Sequence, residues 1–224
     1  MISEAGVYAA GAAVYAVSAV VSLVALRGVP ASVRRYYYVA TGLVVLGGVS
    51  SALLAAGVGT VTVRGHAVTL PSFAENLVTY SALWAITGLL ADVDRRTLVV
   101  VTGLPFAQVI AFQVAALTGG ATALAASAVV IGGHVVLAAL FLGPVWRGST
   151  HLPERRRLLH WKARNLLLFL IGMLIVFAFL SLAGVFDALG TVVLNQYVSV
   201  LIRVGFAAFL FANVDALATG RDGA

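Results

Sequence analysis

Seven apolar runs, each about as long as a bilayer is thick, dominate this sequence: 5–27, 33–57, 72–91, 97–118, 121–146, 158–183 and 190–218. A membrane-spanning helix needs roughly 20 largely apolar residues. The runs are separated by turn or charge signals: Arg27-Gly-Val-Pro30, Asp92-Val-Asp-Arg-Arg96, the two-glycine hinge Gly119-Gly120, the polar connector Arg147 to Arg157, and a short loop from Gly184 to Gly190. The segment 61–70 alternates with a period of two around Arg64-Gly65, which predicts a small β-hairpin between the second and third helices. The expected fold is an all-α membrane protein, a seven-transmembrane-helix bundle forming a single domain over 1–224.

Composition supports the same class. The chain is 62% hydrophobic and 10% charged, where a soluble domain carries roughly 25% charged residues. Disorder and nucleic-acid binding are excluded, and the lack of cysteine excludes a disulfide-stapled secreted scaffold. The net charge of +6 lies at helix ends. One set of ends holds Arg27, Arg34, Arg35, Arg95, Arg96, Arg147, Arg155, Arg156, Arg157, Lys162, Arg164 and Arg221, while the opposite set holds Arg64 alone. Basic short loops stay cytoplasmic, so the amino terminus is expected outside and the carboxyl terminus inside, in a multi-pass protein of the cell membrane. Trp146, Trp161 and Tyr36 to Tyr38 are expected to form an aromatic belt at the cytoplasmic boundary.

Ionisable groups within spans are costly and mark candidate sites. Glu75 falls early in the third helix, His134 midway in the fifth and Arg203 midway in the seventh. Ser72, Glu75 and Thr79 share one face, with Asn76 beside them, and Gln196, Ser199 and Arg203 repeat the spacing on the seventh helix. Side chains lean toward a helix's amino end, so Arg203 reaches to the depth of Glu75 and a buried ion pair is expected. The pair reads either as glue between two helices or as a site for a transported ion or a ligand anion. His134 reads as a packed histidine. Neither a cluster with metal-ligand spacing nor a catalytic triad, phosphate loop or carboxylate pair is apparent, so the chain reads as a non-enzyme without a metal.

These residues resemble the microbial (archaeal-type) rhodopsins, bacteriorhodopsin-like in shape, along nearly the whole chain. Arg27-Gly-Val-Pro-Ala-Ser-Val-Arg-Arg-Tyr-Tyr-Tyr-Val-Ala-Thr41 resembles that family's turn into its second helix, and Phe73-Ala-Glu-Asn-Leu-Val-Thr79 falls where its third helix carries Tyr-Ala-Asp-Trp-Leu-Phe-Thr. Leu90-Ala-Asp-Val-Asp-Arg-Arg-Thr-Leu98 is similar to its third-to-fourth connection. Arg164-Asn165 opens the sixth helix as in the family, and Val204-Gly-Phe206 follows the chromophore position of the seventh.

The resemblance implies a retinal Schiff base on a seventh-helix lysine, but that position falls at Arg203, and the single lysine of the chain is Lys162. A guanidinium stays protonated and is not a usable nucleophile. By the same alignment the third-helix tryptophan falls at Asn76, two sixth-helix tryptophans at Ile171 and Ala178, and that helix's tyrosine and proline at Leu174 and Ile175. A small fourth-helix residue falls at Phe112, whose ring would fill the ring pocket. The seventh-helix counterion falls at Ser199 and the inner proton donor at Ile86, while the primary counterion position keeps a carboxylate, Glu75.

The expectation is therefore a retinal-free, opsin-related membrane protein with no cofactor, not a light-driven pump, with Arg203 and Glu75 replacing Schiff base and counterion. Its role would be in binding, assembly or regulation, and the apolar inner halves of helices three and six argue against a proton wire. Two alternatives stay open: noncovalent binding of a carotenoid, retinoid or lipid as an apolar ligand, and light-independent ion conduction. The lipid bilayer is the expected partner, and the resemblance implies a homo-oligomer, a trimer or a dimer.

Overall fold

The computed structural model describes residues 3–218; Arg221 lies outside the described residues. Its elements run α1 (Glu4–Ala25), α2 (Arg34–Ala55), β1 (Thr60–Val63), β2 (His66–Thr69), α3 (Leu70–Leu90), α4 (Arg95–Leu117), α5 (Gly120–Leu142), the short α6 (Pro144–Gly148), α7 (Glu154–Leu182), α8 (Ala188–Phe211) and the short α9 (Val214–Ala218). The long helices α1, α2, α3, α4, α5, α7 and α8 form a closed ring in which each packs on the next and α8 returns to α1. Across the ring, α3 also touches α7 and α2 touches α8.

Local chemistry sets the element ends. Ser3 caps α1, its hydroxyl accepting from the Gly6 N–H at 3.1 Å. Asp94 caps α4 by accepting from the N–H groups of Arg96 and Thr97. In the hairpin Val63 pairs with His66, leaving the two-residue turn Arg64-Gly65 with φ of 51° and 83°. Positive φ at both central positions is the geometry that matches the twist of a two-stranded ribbon. Leu70 follows β2 directly, so the hairpin leads straight into α3.

Among the described residues six helices are long and apolar enough to span a bilayer by themselves, and α3 is the long helix outside that set. It carries Ser72, Glu75, Asn76 and Thr79 and is enclosed by α2, α4 and α7. Buried flanks need not be as apolar as lipid-facing ones. Exposure follows the inversion expected of a membrane protein, with Val17, Leu124 and Phe169 at 65–73% exposed on the outside of the ring. Glu75, Thr79, Thr87, Gln108, His160, Arg164 and Arg203 are buried inside it.

Several boundaries differ from expectation. The basic connector continues as helix, so α7 begins at Glu154 rather than near residue 158 and runs for 29 residues. There Arg156 donates to the terminal carbonyls of Leu89 and Leu90 at 3.0 and 3.1 Å, so this residue caps α3 as well as carrying topological charge. The last span divides at Ala212-Asn213 into α8 and α9. Of the expected aromatic belt, Tyr38 and Trp161 are exposed, while Tyr36 and Tyr37 are buried. Tyr37 donates to the Leu210 carbonyl and its ring meets Phe211, holding α2 to α8.

Candidate functional site

On α8, Gln196, Ser199 and Arg203 face the ring interior. Arg203 is 1% exposed, and its side chain turns back along its own helix, Nη1 donating to the Ser199 carbonyl at 3.1 Å and to the Ser199 hydroxyl at 2.5 Å. Nη2 donates to Asn76 Oδ1 at 2.8 Å. Nε stands 2.5 Å from Glu75 Oε1, and the guanidinium carbon lies 5.7 Å from the centre of the Tyr80 ring. One cation therefore meets a carboxylate, an amide, a hydroxyl, a carbonyl and an aromatic face, and its burial is offset by charge-assisted bonds.

Helices α1 and α2 complete the surroundings. Tyr15 donates its hydroxyl to Ser199 at 3.2 Å, and Gln196 donates to the Ser51 hydroxyl at 2.9 Å. Close approach needs glycine on the facing helices. A Cβ on Gly11 would fall 1.9 Å from Gln196 Nε2, and one on Gly47 would fall 2.8 Å from the Tyr15 ring. Thr79 is fully buried one turn along α3, and its hydroxyl has no hydrogen-bond partner among the described residues.

Beside this network lies a cavity of about 280 Å³. Its lining includes the polar side chains of Glu75, Asn76, Gln108, Gln113, Gln196 and Ser199 and the apolar ones of Phe112, Ile171, Leu174 and Ala178, with Trp84 also bordering the space. All of the expected site residues except Arg203 and Thr79 thus border one cavity, and Arg203 stands behind Glu75, Asn76 and Ser199. Phe112 does not fill the space. Its ring meets Phe179 edge-on at 5.9 Å and forms wall.

Sequence reasoning missed several interior groups. Tyr15 and Trp84 are fully buried members of the site's surroundings. His160 is buried in the inner half of the ring, and so is Arg164, expected among the cytoplasmic basic residues. His160 Nδ1 lies 3.2 Å from the Thr87 carbonyl, and Arg164 donates to the Phe141 carbonyl and lies over the Trp146 ring. The inner halves of α3 and α7, expected to be almost wholly apolar, thus carry Thr87, His160 and Arg164 inside the ring. The usable signal was spacing, since His160, Ala163, Arg164, Leu167 and Ile171 form one buried stripe on α7.

No protein-family model and no curated relative matches the chain. Solved structures do. The cyanorhodopsin from the cyanobacterium Calothrix sp. NIES-2098 matches with a TM-score of 0.88 at 13% identity, over 98% of each chain. The cyanorhodopsin from Tolypothrix sp. NIES-4075 matches at 0.88 and 18% identity, over 99% of this chain and 100% of that one. The light-driven proton pump of Coccomyxa subellipsoidea matches at 0.85 and 15% identity, over 95% and 98%.

Two expectations are corrected by these findings. The retinal-free, non-pump reading and the absence of any cofactor conflict with neighbours that are cyanorhodopsins and a light-driven proton pump, folds for which the resemblance implies retinal. The physical error was to equate loss of an attachment point with loss of the space. Asn76, Ile171 and Ala178, where the resemblance implies tryptophans, border the cavity without ring bulk. The chain has the seven-helix fold of the microbial rhodopsins and is a multi-pass membrane protein.

Proposed function

We propose that this protein is a membrane receptor for a retinoid or a similarly elongated polyene, held in the cavity between α3, α4, α7 and α8 by non-bonded contacts, with Arg203 standing where the family's lysine would be. The observation that carries the reading is the mixed lining of the cavity. Polar side chains of Glu75, Asn76, Gln108, Gln196 and Ser199 border the same space as the apolar side chains of Phe112, Ile171, Leu174 and Ala178. Ligand pockets combine apolar surface with placed polar groups that fix orientation. The Trp84 indole N–H, on the same cavity, has no hydrogen-bond partner among the described residues and is a further donor for a ligand.

An imine does not fit the residues present. The one lysine, Lys162, is exposed near the basic start of α7, and the guanidinium of Arg203 is not a nucleophile. A bound polyene would supply light absorption through its conjugation. The chain's own residues supply enclosure and orientation: Phe112, Ile171, Leu174 and Ala178 contact the hydrocarbon, and Glu75, Asn76 and Ser199 take a polar head.

The test is titration of the purified full chain in nanodiscs with all-trans retinal and all-trans retinol, followed by tryptophan quenching and by induced circular dichroism of the polyene. Saturable one-to-one binding with an induced signal is expected. Quenching that rises without saturation, with no induced signal for either compound, overturns the reading.

A further inference from the structure

The network around Arg203 narrows the head group, an inference that rests on the retinoid reading above. Nε of Arg203 faces Glu75, Nη1 serves both the carbonyl and the hydroxyl of Ser199, and Nη2 serves Asn76. The cation's hydrogen-bonding capacity is spent almost entirely within the protein, and the residue is 1% exposed. The group of the ion pair that reaches the cavity wall is the acid, Glu75, with the amide of Asn76 beside it.

We infer that the cavity selects an uncharged head group, an alcohol ahead of an aldehyde, and disfavours the corresponding carboxylate. A ligand hydroxyl donates to the Glu75 carboxylate and accepts from the Asn76 amide NH₂, whose Oδ1 already serves Arg203. An aldehyde oxygen can only accept, so it uses the Asn76 amide alone. A ligand carboxylate surrenders its hydration and meets a like charge, while the neighbouring cation has its donors engaged elsewhere. Such a repulsive element discriminates against one ligand while the added contact favours the other, and specific sites use both.

The experiment compares all-trans retinol, retinal and retinoic acid on the full chain in nanodiscs at neutral pH, by tryptophan quenching and by native mass spectrometry. Retinol is expected to bind tightest and retinoic acid at least about tenfold more weakly, the scale of an uncompensated polar mismatch. In Glu75→Gln the order between acid and alcohol should narrow or reverse, because the opposing charge is gone and Arg203 has lost its counterion. Retinoic acid binding as tightly as retinol overturns the inference while leaving the receptor reading intact. Failure of all three ligands to saturate overturns both. The ranking on the unmodified chain decides the matter even if Glu75→Gln does not assemble.

Discussion

The side chain of Arg203 lies against α2 at Gly47, whose absent Cβ would sit 3.1 Å from Arg203 Cδ and 2.8 Å from the Tyr15 ring. Tyr15 is 1% exposed and Arg203 equally enclosed, so neither has room to retreat. Gly47→Ala is therefore expected to lower stability by about 1–3 kcal/mol, the usual cost of overpacking a closed core. Gly42→Ala, where nothing lies within 4 Å, should be neutral or slightly stabilising. Thermal melting of both variants in the same detergent checks the contrast, and equal midpoints would show that α2 tolerates a side chain facing Arg203.

The ion pair itself should behave asymmetrically. Glu75→Ala leaves a buried guanidinium without its counterion, and breaking such a pair typically costs about 3–5 kcal/mol. Removing both charges, as Glu75→Ala with Arg203→Met, should recover part of that loss, because nothing charged then remains uncompensated. Unfolding in denaturing detergent measures the cycle. A double variant as unstable as the sum of the two single ones would mean that the residues act independently.

Much of this molecule was legible in its sequence because membrane burial writes itself in long runs. The seven segments and the hairpin around Arg64-Gly65 needed only length, periodicity and turn chemistry. The polar face of α3 and the matching face of α8 were readable from i, i+3, i+7 spacing, which brought Glu75 and Arg203 to one depth. What failed were inferences that treated a residue type as a location or a volume. Arg164 is basic and so reads as part of a solvated edge, yet it and the neighbouring His160 each find a backbone carbonyl inside the ring. Phe112 reads as a plug by volume alone, but a ring's effect on a cavity depends on its rotamer, and here it lies against Phe179.

Outside the spans, acid should loosen the start of α4. Asp94 caps that helix, accepting from the Thr97 hydroxyl at 2.7 Å and from two backbone N–H groups, and these bonds hold its carboxyl below the ordinary carboxylate range. A carboxyl whose pKa is depressed by folding adds stability that is present above its unfolded pKa, about 4, and is lost as pH falls through the folded value. The melting temperature should therefore decline below about pH 4 in the parent chain, and Asp94→Asn should remove that part of the decline. Parallel acid profiles for the two would show that the cap does not titrate with folding.

Introducing an amine at position 203 tests whether the cavity and the ion pair share one architecture. Arg203→Lys replaces a guanidinium that cannot condense with an aldehyde by an amine that can, once it gives up its proton. The amine adds to the carbonyl carbon of retinal and water leaves, forming an imine whose proton sits near the Glu75 carboxylate, the group now 2.5 Å from Arg203 Nε. A visible band should appear on adding all-trans retinal, bleach with hydroxylamine, and after borohydride reduction map to the peptide bearing position 203. Lys162 provides an internal control, because it is exposed near the basic end of α7 and lies outside the cavity lining. A variant that still melts cooperatively yet gives no band, or carries its label on Lys162 alone, would show that a polyene aldehyde cannot lie in the cavity with its head at α8.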